Sequence, residues 1–89
     1  AELDEDIVLA NVGLRIAELR EERGMSQADL ARGMRVQLRQ AQRYESGLNL
    51  TLTTLVRLAR ALDVRPVDLF AAPTRCRRGP GRPRTRGAT

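Results

Sequence analysis

Apolar residues in this chain recur at helical spacing, but only in short runs, and each run is closed by its own stop signal. Leu9, Val12, Ile16 and Leu19 fall three and four residues apart, which draws one stripe along a helix. Gly24 ends that helix, with Arg20 and Arg23 in the last turn, where cations meet the negative end of the dipole. Ser26-Gln27-Ala28-Asp29 then has the form of a capping box, Asp29 standing where Glu or Gln is usual. Leu30, Ala31 and Met34 continue it for about two turns, and Gly33 is expected to permit close packing there. A third short helix is expected from about Gln37 to Glu45, with Ala41 and Tyr44 inward and Ser46-Gly47 closing it. Leu48 to Thr53 alternates apolar and polar, which alone reads as a strand. No second strand is available to pair with it, so an extended linker is expected instead. Thr51 then caps a helix through Leu55, Leu58, Ala59 and Leu62. Pro66 suits the first position of a last short helix, with Val67, Leu69 and Phe70 packing back. The expected class is all-α, a compact bundle of four to five short helices.

Only aliphatic packing can hold such a bundle together. Tyr44 and Phe70 are the sole aromatics, and the lone Cys76 excludes an internal disulfide. With no His, the usual zinc clusters cannot be assembled either. The 89 residues suffice for one small domain. Residues 73–89 hold three Pro and three Gly with almost no aliphatic side chain, too little apolar surface to offset chain entropy. The sequence therefore divides into an acidic N-terminal extension (1–12), set off by Gly13 and at most continuing the first helix, a globular domain (13–72), and a disordered tail (73–89). Catalysis is poorly supplied: no His for acid–base work and no Gly-rich phosphate loop, so neither an enzyme nor a cofactor is expected. No run of about 18 apolar residues exists to cross a membrane, and no charged-then-apolar leader opens the chain. A cytoplasmic protein is expected.

The charge is split along the chain. Every cation is Arg, and residues 75–89 carry six of the 16 with no acid. The remaining ten face 11 acids, so the net charge of +5 resides in the tail. Such asymmetry suggests an arm for nucleic acid. At the other end Glu2, Asp4, Glu5 and Asp6 form an acidic patch suited to docking a protein partner.

Two short helices separated by Met34, Arg35 and Val36 have the layout of a helix-turn-helix, in which the second helix enters the major groove. Residues 13–70 resemble the Cro/repressor-type (XRE) DNA-binding domain. Gly24-Met-Ser-Gln-Ala-Asp-Leu-Ala31 is similar to that family's turn and second helix, and Arg43-Tyr-Glu-Ser-Gly47 to the end of its recognition helix. Asn49-Leu-Thr-Leu-Thr-Thr-Leu55 and Leu58-Ala-Arg-Ala-Leu62 are similar to its fourth helix. Two positions depart from the pattern. Arg35 stands where the family usually has a left-handed Gly, at a cost of about 1 kcal/mol, and Ala41 where Ile or Val is usual. The resemblance implies a duplex-DNA-binding transcriptional regulator, nucleoid-associated when bound and acting as a homodimer. Gln37, Leu38, Arg39, Gln42 and Arg43 would face base edges or the flanking backbone, and Gln27, Thr51 and Thr53 would hold phosphates. Residue chemistry agrees, since Arg reads guanine and Gln reads adenine bidentately. The compact layout also looks like restriction–modification controllers and like antitoxins, whose partner is a protein; an interaction module is the alternative reading.

The tail resembles an AT-hook at Gly81-Arg82-Pro83, although Pro80 stands where that motif usually has Arg. Arg78, Arg82, Arg84 and Arg86 would then enter an A·T-rich minor groove, whose narrowness concentrates negative potential. A non-specific basic tail is the competing reading. Within the domain, Arg20 is expected to pair with Glu45 and Tyr44 to lie in the core.

Overall fold

The computed structural model describes residues 4–73. Helix α1 spans Glu5–Glu22, α2 Gln27–Met34, α3 Leu38–Glu45 and α4 Leu52–Leu62, and a 3₁₀ helix, Pro66–Phe70, closes the domain. No strand occurs among the described residues, so the linker reading of residues 48–51 holds. The alternation there belongs to a bend with Asn49 in the left-handed region (φ 59°), followed by a helix start.

Helices α1, α2 and α4 begin where the sequence supplies a side-chain acceptor for the free amides of a first turn. The Asp4 carboxylate accepts from the amides of Asp6 and Ile7, and Thr51 Oγ1 from the Thr54 amide at 3.1 Å. Ser26 and Asp29 complete the reciprocal capping box: the Asp29 amide donates to Ser26 Oγ at 3.0 Å and the Ser26 amide to Asp29 Oδ2 at 2.9 Å. Helix α1 passes through Gly13 without a break, so the first helix begins eight residues before the glycine. Its first turns overhang the bundle, leaving Ile7, Val8 and Leu9 exposed. Leu9 therefore belongs to the rim of the stripe, and Val12, Ile16 and Leu19 to the core.

The core is aliphatic. Ile16, Leu30, Leu58, Leu62 and Leu69 are fully buried, with Met34, Ala41 and Tyr44 packed around them. Of the three residues expected to pack back from the last helix, only Leu69 does so; Val67 and Phe70 are 60% and 58% exposed. The reason is the 3₁₀ winding, whose three-residue turn eclipses positions i and i+3. Val67 and Phe70, three residues apart, therefore share the outer side, and Leu69 alone turns into the core.

Around Gly13 and Gly47, α1 and the end of α3 approach backbone to backbone. A Cβ on Gly13 would stand 2.3 Å from the Glu45 carbonyl oxygen, and one on Gly47 would stand 2.6 Å from the Leu9 carbonyl oxygen. Gly33 is different: its nearest neighbour would be Ala61 Cβ at 4.0 Å, an ordinary contact, so no tight packing explains it. The turn between α2 and α3 keeps the left-handed form despite its residue, with Arg35 at φ 60°, ψ 44°. An L side chain is strained there. Arg35→Gly should accordingly raise the unfolding free energy by up to about 1 kcal/mol, tempered by the flexibility glycine adds to the unfolded chain. Gly13→Ala should lower it by about 1–3 kcal/mol, as overpacking does. Urea melts of the two variants check both signs.

Candidate nucleic-acid interface

Helix α3 divides cleanly into two sides. Ala41, Tyr44 and Glu45 are buried, while Leu38, Arg39, Gln42 and Arg43 are exposed. On a helix of 3.6 residues per turn, positions i, i+1, i+4 and i+5 form one continuous face. That face carries two guanidiniums, an amide and an aliphatic group, with no carboxylate. Gln37 precedes it as an exposed, extended N-cap whose side chain makes no capping bond. Expected as the first helical residue, Gln37 instead stands one position outside the helix.

What holds this face outward is the carboxylate on the other side. Glu45 is buried, and its Oε2 accepts from Arg20 Nε at 2.6 Å. Its Oε1 accepts from Gln27 Nε2 at 3.0 Å and from Arg20 Nη2 at 3.4 Å. The third corner of the guanidinium, Arg20 Nη1, donates to the Met25 carbonyl at 2.8 Å. The network ties the end of α3 to the end of α1 and the start of α2. Gln42 Nε2 reaches Gln27 Oε1 at 3.4 Å, so the exposed face of α3 adjoins the N-terminus of α2. There the amides of Gln27 and Ala28 lack acceptors within the helix, as first-turn amides do.

The phosphate-type positions are thus differently equipped. The Gln27 side chain is half-buried and engaged with Glu45 and Gln42, leaving its backbone amide for a ligand. Thr51 is the N-cap of α4, its hydroxyl 2.9 Å from that of Thr54, and Thr53 is exposed one residue inside the helix. The tail residues Arg78, Arg82, Arg84 and Arg86, and Cys76 with them, lie outside the described residues. Two positioning arginines escape sequence reasoning. Arg57 Nη2 donates to the Met34 carbonyl at 2.8 Å, closing the end of α2, and Arg15 Nε donates to the Asp68 carbonyl at 3.0 Å. Nothing in the sequence separates such an arginine from one pointing to solvent.

Residues 16–69, which carry this whole arrangement, match the helix-turn-helix family. The chain belongs to that family, in its XRE-type branch of DNA-binding transcription regulators. Among solved structures, it is similar to the restriction-modification controller protein C.AhdI from Aeromonas hydrophila. The two are 36% identical, covering 70% of this chain and 96% of that one, with a TM-score of 0.66. It is also similar to the hypothetical transcription factor NHTF from Neisseria, at 29% identity over 82% of this chain and 86% of that one, TM-score 0.70. No curated protein sequence matches it significantly. In this helix-turn-helix protein α2 is the first helix of the motif, Arg35-Val36-Gln37 its turn, and α3 the second.

Two carboxylates that shape the motif titrate below their ordinary range. The Ser26 amide, then the Arg32 guanidinium at 3.0 Å and the Ser26 hydroxyl, hold the Asp29 carboxyl down. The Arg65 amide does the same for Asp68, helped by the charges of Arg65 and Arg15. A carboxyl lowered on folding adds stability above its unfolded pKa of about 4. That contribution fades as the pH falls through the lower folded value. Wild type should therefore lose melting temperature below about pH 4, and Asp29→Asn, which keeps an acceptor oxygen but cannot titrate, should lose less over the same interval. Thermal melts between neutral pH and the acid limit check the difference in slope.

Proposed function

We propose that this regulator binds duplex DNA sequence-specifically as a homodimer, with the exposed face of α3 reading base edges in the major groove. The acid-free face of Leu38, Arg39, Gln42 and Arg43, backed by a buried ion pair, carries this reading. Arginine matches guanine O6 and N7 bidentately, glutamine matches adenine, and an aliphatic group suits the thymine methyl. Gln37 stands at the entrance to the same face and adds a polar contact there. The backbone amide of Gln27 and the start of α4 at Thr51 and Thr53 hold phosphates on either side, fixing register without reading sequence.

Pairing of two copies is supported by apolar residues left uncovered in consecutive elements. Leu52 and Val56 are 75% and 40% exposed one turn apart on α4, and Val67 and Phe70 are exposed on the 3₁₀ helix. A two-fold dimer implies half-sites about 10 bp apart, or a multiple of that. The likeness to C.AhdI supports a controller-type regulator. The arginines of the tail, Arg78, Arg82, Arg84 and Arg86 among them, add phosphate or A·T minor-groove contacts. The overhanging start of α1 favours a second role: Asp4, Glu5 and Asp6 beside exposed Ile7, Val8 and Leu9 suit an accessory protein partner.

Selection from random duplexes supplies the preferred site, and titrations on that site and on a scrambled one test the assignment. Arg39→Ala should cost about 1–3 kcal/mol on the preferred site and relax one base position. Thr53→Ala should weaken both duplexes alike. Equal losses from Arg39→Ala on the two duplexes would contradict base reading by α3.

A further inference from the structure

We propose that the cleft between the end of α2 and α4 binds a phosphate-type oxyanion. It encloses about 450 Å³ and is lined by Gly33, Met34, Arg35, Arg57, Arg60 and Ala61. Three arginines and no acidic residue line this one cleft. Of the seven other arginines among the described residues, four (Arg15, Arg20, Arg32 and Arg65) have a carboxylate partner, at Glu18, Glu45, Asp29 and Asp68. Leaving three cations together without one costs repulsion that an oxyanion would relieve.

The cleft has fixed and open parts. Arg57 is anchored through Nη2 to the Met34 carbonyl at 2.8 Å, which orients its plane and leaves the other N–H groups as donors. Gly33 contributes no side chain, so the wall facing Ala61 stays open. Arg35 holds a left-handed backbone that glycine would adopt more cheaply. A strained backbone retained with a charged side chain at a cleft is a reason to look for a ligand. Guanidinium groups match phosphate oxygens in paired, charge-assisted bonds, so a phosphate suits this lining better than a carboxylic acid or a neutral polar solute.

The position matters because Arg35 belongs to the turn that leads into α3, while Arg57 and Arg60 belong to α4. An oxyanion bridging them would fasten the recognition helix to the body of the domain. Its source is either a soluble phosphate-bearing solute or the backbone of flanking DNA. Binding of free phosphate is measured without DNA, so the site stands or falls independently of the base-reading assignment.

The test is a titration of the full chain, isotope-labelled, with inorganic phosphate against chloride at constant ionic strength, followed by amide chemical shifts. Saturable shifts are expected at residues 33–36 and 57–61. Arg60→Gln should weaken them about tenfold. Arg35→Gly should weaken them similarly while the fold is kept, since glycine suits that backbone. A salt titration on duplex DNA then separates the sources. If Arg60→Gln lowers the log–log slope by about 0.9 and phosphate competes with DNA, the occupant is a backbone phosphate. If the slope is unchanged and phosphate still binds the DNA complex, the occupant is a soluble solute. Either result supports the site. Shifts that fail to saturate, or that are equal in all three proteins, would overturn it.

Discussion

A single buried carboxylate organises the part of this domain that faces outward. Glu45 lies at the end of α3, where it takes hydrogen bonds from Arg20 on α1 and Gln27 on α2. Removing two charges from water is expensive, and in the interior they are retained only where geometry and further hydrogen bonds compensate. Here the Met25 carbonyl and the Gln27 amide supply those bonds. The orientation of an eight-residue helix, too short to be stable alone, is thereby fixed relative to two others. The close glycine contacts of Gly13 and Gly47 add a steric clamp at the same junction. What the rest of α3 presents to solvent follows from that anchoring.

The electrostatic layout has a corresponding logic. Five of the ten described arginines are paired with a nearby acid or bonded to the Asp63 carbonyl. Those left without a carboxylate cluster on the face of α3 and in the cleft behind the turn. Local concentration of free cations, rather than overall charge, is what directs a polyanion to one side of such a protein. The six arginines between 75 and 89 supply the excess charge of the whole chain.

Much of this was legible from residue types and spacing. The caps at Ser26 and Thr51, the left-handed end at Gly24 and the stripe of Val12, Ile16 and Leu19 are local signals, and local signals place helices. The pairing of Arg20 with Glu45 was also readable, although its extension to Gln27 was not, because it depends on how α2 meets α3. Val67 and Phe70 were misplaced because an apolar residue near a helix looks inward until the winding is known. Arg57 on the Met34 carbonyl and the cleft beside it had no sequence signature, since an arginine that caps another helix 23 residues away is indistinguishable from a solvated one. For α3, the split into a buried side at Ala41 and Tyr44 and an outward side at Leu38, Arg39, Gln42 and Arg43 was readable from spacing, and only the burial of Glu45 on the inner side came with the fold.

The central claim is that the buried pair, rather than α3 itself, positions the recognition face. A double-mutant cycle on unfolding free energy tests it most directly, with Arg20→Met, Glu45→Leu and the two combined. Each single change should cost about 3–5 kcal/mol, because it strands a charge in the interior. The double variant, with two apolar groups of similar shape, should cost clearly less than the sum, giving a coupling of about 1–3 kcal/mol. Small, additive losses would contradict the account, because they would mean that α3 is held in place without the pair.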